Sequence, residues 1–280
     1  MRVSVLVVVA GLVFGALTAA VWLRPARTPA AAELPVSSVP PSPATIAVSP
    51  KRAEVAVDVR GEWSWALREL DTGAVVGDGA LRTAAESLVE IWIAVDYLAT
   101  RDSRISIEDE GRVTRMIRGS DDRAARTLYL RLGGDGSIAR MIRTCGLRET
   151  VIHPGWWSKT TMSAADASLL GRCVARGPGL SPRWRDKLLD LMRPVDAGGA
   201  FGIPAAPALA GLRPAVGNGW TRHGTWWAVD CLAIWDRWVL AVMVHYPEQG
   251  DGHRYGAEVC ETVAQRLFGR TDTGTRRIGG

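Results

Sequence analysis

The sequence predicts a mixed α/β (α+β) fold, an antiparallel sheet flanked by helices with a helical lobe inserted between its strands. Three observations predict it. Runs rich in β-branched and aromatic residues stand near both ends of the folded region, at residues 63–70 and 225–245. Helical periodicity fills the chain between them, so the sheet must be built from distant parts of the sequence. One helical stretch, residues 88–98, is apolar nearly all round, as a helix enclosed by other elements must be.

The elements follow in order. Residues 63–70 begin with alternating apolar and polar positions, meet the turn Asp71-Thr72-Gly73, and return through residues 74–76 as a hairpin. Thr83-Ala84-Ala85-Glu86 has the form of a capping box ahead of the apolar helix. A helix over 122–132 ends at Gly133-Gly134, and one over 138–144 stops before Cys145-Gly146. Ser163-Ala164-Ala165-Asp166 opens a helix that runs to Gly177, and Ser181-Pro182 supplies a cap and an N1 proline ahead of residues 184–192. Residues 225–235 and 238–245 form a hairpin across Asp236-Arg237. The last helix, residues 255–268, carries Val259, Val263 and Leu267 on one stripe.

The chain ahead of this domain has another character. Residues 3–23 are apolar apart from Ser4 and Thr18, and they follow a single Arg2. About twenty such residues suffice to cross a bilayer, so a single-span membrane anchor with an extracytoplasmic domain is the first expectation. A cleaved signal peptide is the rival, because Ala30-Ala31-Ala32 offers an A-x-A-like site. No cysteine follows the run closely, so a lipid-anchored N-terminus is not expected. The Pro-, Ala-, Ser- and Val-rich stretch that follows reads as an extended spacer. The expected organisation is an anchor or signal segment at 1–23, a linker at 24–53, one domain at 54–269 and a tail at 270–280. Within the domain, 54–82 and 212–269 form the sheet lobe and 83–211 the helical lobe.

Composition narrows the function classes. The net charge of +5 comes from scattered arginines and the tail, with no basic run interleaved with aromatics, so no nucleic-acid partner is indicated. Four cysteines, Cys145, Cys173, Cys231 and Cys260, fit disulfides in an oxidising compartment. Three connectivities are open. Pairing within each lobe, Cys145 with Cys173 and Cys231 with Cys260, is preferred. No Cys/His spacing suggests zinc, and no metal or other cofactor is expected.

Three short motifs carry the chemistry. Ser87-Leu88-Val89-Glu90 opens the apolar helix, Ser120-Asp121-Asp122 precedes another, and Gly217-Asn218-Gly219-Trp220 heads a strand. In their order and setting they resemble Ser-x-x-Lys, Ser-Asp-Asn and Lys-Thr-Gly of the class A β-lactamase and penicillin-binding-protein superfamily, over residues 54–268. The resemblance implies a serine β-lactamase-like fold, with Ser87 at the nucleophile position and the Trp220 amide as half of an oxyanion hole. Each motif is altered. Glu90 replaces the lysine that helps to activate the serine, Asp122 replaces an asparagine, and Gly217 removes a second lysine. The family's deacylating Glu-x-x-Leu-Asn pattern has no counterpart between Gly146 and Ser163.

Glu90 and Asp122 together are expected to give the pocket a net negative charge and to push one carboxyl pKa upward, unless Arg118 or Arg123 neutralises them. His223 is the best placed of the four histidines for a Ser-His-Asp reading, yet a surface turn histidine is the favoured account. Of Trp156-Trp157 and Trp226-Trp227, one member of each pair should face outward, and an aromatic rim for sugar or peptide is one expectation. The functional expectation is a non-catalytic, binding or scaffolding protein of the cell envelope. Its partner would be a peptidoglycan peptide, a glycan or an envelope protein. The alternative is a slow serine hydrolase or acyl-transferase acting through Ser87.

Overall fold

The computed structural model describes residues 55–194 and 201–269. The expected segments at 1–23, 24–53 and 270–280 lie outside these, and so does the 3–23 apolar run. Among the described residues, no helix is long and apolar enough to cross a membrane.

A five-stranded antiparallel sheet is built from both ends of the domain. Its strands are β1 (Glu62–Glu69), β2 (Val75–Val76), β5 (Ala215–His223), β6 (Trp226–Trp235) and β7 (Trp238–Pro247), in the order β2-β1-β7-β6-β5. The N-terminal hairpin pairs Leu67 with Val76, and β1 closes against β7 with Ala66 opposite Ala241. The β6–β7 hairpin turns at Asp236, whose φ of 47° suits an aspartate in a tight turn. A second, two-stranded sheet joins β3 (Arg82–Ala84) to β4 (Thr161–Ser163).

Helices cover both faces of the main sheet. Side chains along β7 alternate, so Val239, Ala241 and Met243 join the core under α1 (Leu88–Arg101) and α5 (Ala164–Arg176). Leu240, Val242 and Val244 join the core under α7 (Arg254–Phe268). α5 lies so close that a Cβ on Gly171 would sit 2.5 Å from Val239 Cγ1, which explains a glycine inside that helix. Its start is capped as expected, with Ser163 accepting from the Asp166 amide.

The helical lobe also holds α2 (Ile107–Gly119), α3 (Asp122–Arg131), α4 (Asp135–Cys145) and α6 (Pro182–Leu191). Residues Leu88 to Leu98 of α1 are all buried, in keeping with their unbroken apolar pattern. Polar contacts also fix this helix in its sleeve. Trp92 Nε1 donates to the Ser137 carbonyl at 2.9 Å, and Arg140 pairs with Asp96 at 2.7 Å. Both disulfides form within their lobes. Cys145–Cys173 ties α4 to α5, and Cys231–Cys260 ties β6 to α7.

One local expectation is corrected, and one helix is added. Thr83 and Glu86 make no capping box, because Thr83 belongs to β3 and its hydroxyl donates to Asp230 at 2.7 Å. Ser87 is the residue at the helix start, without a side-chain capping bond. The periodicity over 107–119 also went unread as a helix, although Ser106 caps it by accepting from the Asp109 amide.

Candidate functional site

Ser87 stands at the N-terminus of α1, where the chain turns sharply out of β3. The residue before it, Glu86, has a φ of 48°, a costly conformation for a non-glycine residue. Two amides are held from behind by the segment of Trp157–Lys159, with Ala85 N–H donating to Thr160 O and Glu86 N–H to Ser158 O. From in front, β5 presses on the same backbone at Gly219. A Cβ there would lie 2.7 Å from Ala85 O and 3.2 Å from Ser87 N, so only glycine lets the strand approach the Ser87 amide this closely.

Ser120 arrives from the end of α2. It ends that helix in the left-handed region, φ 48° and ψ 48°, and Asp121 takes over as the cap of α3 by accepting from Arg123 and Ala124 N–H. The αL turn frees the Ser120 side chain from capping and aims it at the start of α1. Ser87 Oγ and Ser120 Oγ are 2.5 Å apart, and Ser120 Oγ lies 3.4 Å from Glu90 Oε2. The structure thus brings Ser87, Glu90 and Ser120 together.

Glu90 is 2 % exposed, and its Oε1 has no hydrogen-bond partner among the described residues. Burial, reinforced by the charge of Asp122, pushes its carboxyl from the ordinary 4.5 up to about 8. At neutral pH the group is mostly an uncharged acid. Asp122 itself is exposed at the start of α3 and acts on Glu90 only through space.

Gly217, Asn218 and Trp220 form the β5 wall of a cavity of about 310 Å³ in front of Ser87. A side chain on Gly217 would collide with Ile91 of α1, so isoleucine fills the space beside that strand position. Asn218 donates to Phe201 O at 3.2 Å, and its Oδ1 is buried without a donor among the described residues. Phe201 and Trp220 meet edge to face at 5.2 Å. These two aromatics line the cavity, whereas Trp156, 48 % exposed, does not. Trp157 is buried beside it, the inward and outward division expected of that pair.

The expected negative pocket is corrected. Glu90 is the single acid among the lining residues, mostly neutral, and Arg118 and Arg193 line the same cavity. No arginine hydrogen-bonds Glu90 among the described residues, so burial rather than pairing handles its charge.

Two groups escaped the sequence reading. Glu86 is bonded to His223 Nε2 at 2.7 Å, so His223 anchors the end of β5 to the residue before Ser87. Burial raises the Glu86 pKa against the opposing effect of His223. Asp230, opposite Gly219 in the sheet, is fully buried and its pKa stands well above the usual carboxylate range because of that burial. The lone aspartate inside the apolar run of β6 was the visible signal for it.

Comparison with known proteins agrees with this fold. The chain is 28 % identical over 180 residues to the protein named "Putative lipoprotein LppW" of Mycobacterium bovis, and likewise to that of Mycobacterium tuberculosis H37Rv. The match covers 58 % of this chain and 57 % of each relative, so the chain spans a little over half the length of these curated relatives. Among solved structures, PBP-A superposes with a TM-score of 0.60 at 24 % identity, covering 75 % of this chain and 91 % of PBP-A. A class A β-lactamase from Mycobacterium abscessus superposes with a TM-score of 0.57 at 20 % identity, covering 73 % of this chain and 93 % of the enzyme. At these identities the likeness is one of fold. Residues 99–268 match the Beta-lactamase2 family model, and on that match the chain belongs to the β-lactamase enzyme family.

Proposed function

We propose that this chain is a non-catalytic β-lactamase-like protein of the cell envelope, which uses the cleft at Ser87 to bind a ligand rather than to hydrolyse one. The observation that carries the reading is Glu90. It is buried against Ser87 and Ser120 where the family pattern has a lysine, and its carboxyl is mostly protonated near pH 7. A protonated acid cannot take the serine proton, and a carboxylate cannot supply the positive charge of an ammonium. Gly217 withholds the second cation. Envelope placement is supported by the lipoprotein name of the curated relatives and by the apolar run at residues 3–23. A peptidoglycan peptide, a glycan or an envelope protein fits the reading as partner.

The second reading, slow acyl transfer through Ser87, is favoured by the 2.5 Å Ser87–Ser120 contact and by the close approach of Gly219 to the Ser87 amide. One experiment separates the two. The full chain is incubated with a reactive penicillin at about pH 7 and about pH 9, beside a Ser87→Ala control, and intact mass is measured. The proposal expects no adduct at either pH. An adduct lost in the control establishes Ser87 as a nucleophile and overturns the proposal. Its appearance only at the higher pH would make ionised Glu90 the base.

A further inference from the structure

Two buried oxygens of the cavity lining are left without hydrogen-bond donors among the described residues. Among the described residues, Glu90 Oε1 and Asn218 Oδ1 are both buried without a partner, and both residues line the cavity. The hydroxyls of Ser87 and Ser120 lie beside Glu90 and can each accept a further bond. Asn218 Oδ1 and the ionised form of Glu90 only accept, so a ligand that brings donors satisfies them and one that brings acceptors does not. Phe201 and Trp220 add π-faces at the same cavity. Arg118 and Arg193 contribute the cationic part of its lining.

We infer that the cleft is a receptor for a primary ammonium group, carried by an amino-acid-like ligand that also offers an anionic group to Arg118 and Arg193. The ammonium seats among Glu90, Ser87, Ser120 and Asn218, with Trp220 and Phe201 beside it. An ammonium has three donors and no acceptor, which matches that set, and aromatic faces attract it further. A ligand hydroxyl supplies one donor only, and a bare carboxylate would bring acceptors to acceptors. The volume of about 310 Å³ is at the small end of ligand pockets and suits a molecule of dipeptide size. The inference deepens the non-catalytic binding reading and rests on it.

An ammonium beside Glu90 favours the ionised carboxylate, so binding at pH 7 expels the proton that Glu90 holds there. The test is titration calorimetry of the full chain with 6-aminohexanoate and with heptanoate, which carries a methyl in place of the ammonium. Each is run in two buffers of different ionisation enthalpy. Saturable binding of 6-aminohexanoate is expected, about tenfold or more tighter than heptanoate. Close to one proton should be released per ligand at pH 7, and fewer at pH 9. Glu90→Gln should abolish the release and weaken binding by about tenfold. Equal or tighter binding of heptanoate, binding without proton release, or no saturable binding of 6-aminohexanoate overturns the inference. The proton count is read on the unmodified chain, so it stands even if the variant does not fold. A penicillin adduct in the same preparations would overturn the non-catalytic reading alone.

Discussion

Replacing Glu90 by glutamine should stabilise the protein relative to its parent by an amount that grows from pH 4.5 to about pH 8 and is constant above. In the folded chain the Glu90 carboxyl titrates at about 8, against 4.5 ordinarily, because it is buried and faces the charge of Asp122. An acid whose folded pKa is raised contributes nothing adverse below the unfolded value, where both states hold the proton. As pH rises above 4.5 the unfolded chain ionises and the folded chain does not, so stability falls until about pH 8 and then levels. Each pH unit in that window is worth about 1.4 kcal/mol, or about 5 kcal/mol in all. Glutamine keeps the shape and does not titrate. The difference in unfolding free energy between variant and parent should therefore rise by about 5 kcal/mol from pH 4.5 to pH 8, then stay flat. Asp230 and Glu86, whose pKa values are also raised by burial, destabilise both proteins alike and cancel in the difference. Urea denaturation at four pH values, analysed at a common slope, reads it. A constant offset across pH, or a difference that shrinks as pH rises, would refute the burial argument for Glu90.

Two other substitutions test the architecture around the cleft. Gly219→Ala should destabilise by about 1–3 kcal/mol in urea, because its methyl would meet the Ala85 carbonyl and the Glu86 side chain, neither free to move. A neutral result would mean that β5 does not press on the Ser87 backbone. Replacing Cys231 and Cys260 together by serine opens a loop of sequence separation 29 and should cost about 3–4 kcal/mol, read as a lower urea midpoint without loss of the far-ultraviolet spectrum.

Much of the fold was legible because local and global signals agreed. Residues 88–98 read as an enclosed helix because every face is apolar, and α1 is in fact surrounded. The turn at Asp236-Arg237 and the cap at Ser163 are local devices whose residues announce them. The errors arose where a residue's long-range partner overrode its neighbours. Thr83 and Glu86 have the spacing of a capping box, but Thr83 is claimed by Asp230 across 147 positions and Glu86 by His223 across 137. The helix over Ile107–Gly119 was missed because only Val113 and Met116 among its apolar residues are buried, while Ile107 is exposed.

The site was legible in its residues more than in its charge. Ser87, Ser120 and Gly219 depend on backbone geometry, and that geometry holds: a left-handed turn at Ser120, a positive φ at Glu86, a strand resting on a glycine. The charge argument needed burial, which a sequence does not display. Counted as full charges, Glu90 and Asp122 would make the cleft repel anions. With Glu90 enclosed and protonated and Asp122 out in solvent, the lining carries two arginines against one neutral acid at pH 7. The same enclosure explains how a glutamate stands at this position without unfolding the lobe. A buried carboxylate without a cation would be severely destabilising, whereas a buried carboxylic acid costs mainly its unpartnered oxygen and the pH-dependent advantage it leaves to the unfolded chain. Ile91 does the corresponding work at Gly217, filling the space that a side chain there would need. Where the family pattern has two lysines, this cleft thus holds a neutral group twice, once by protonation and once by hydrocarbon, and it keeps its form.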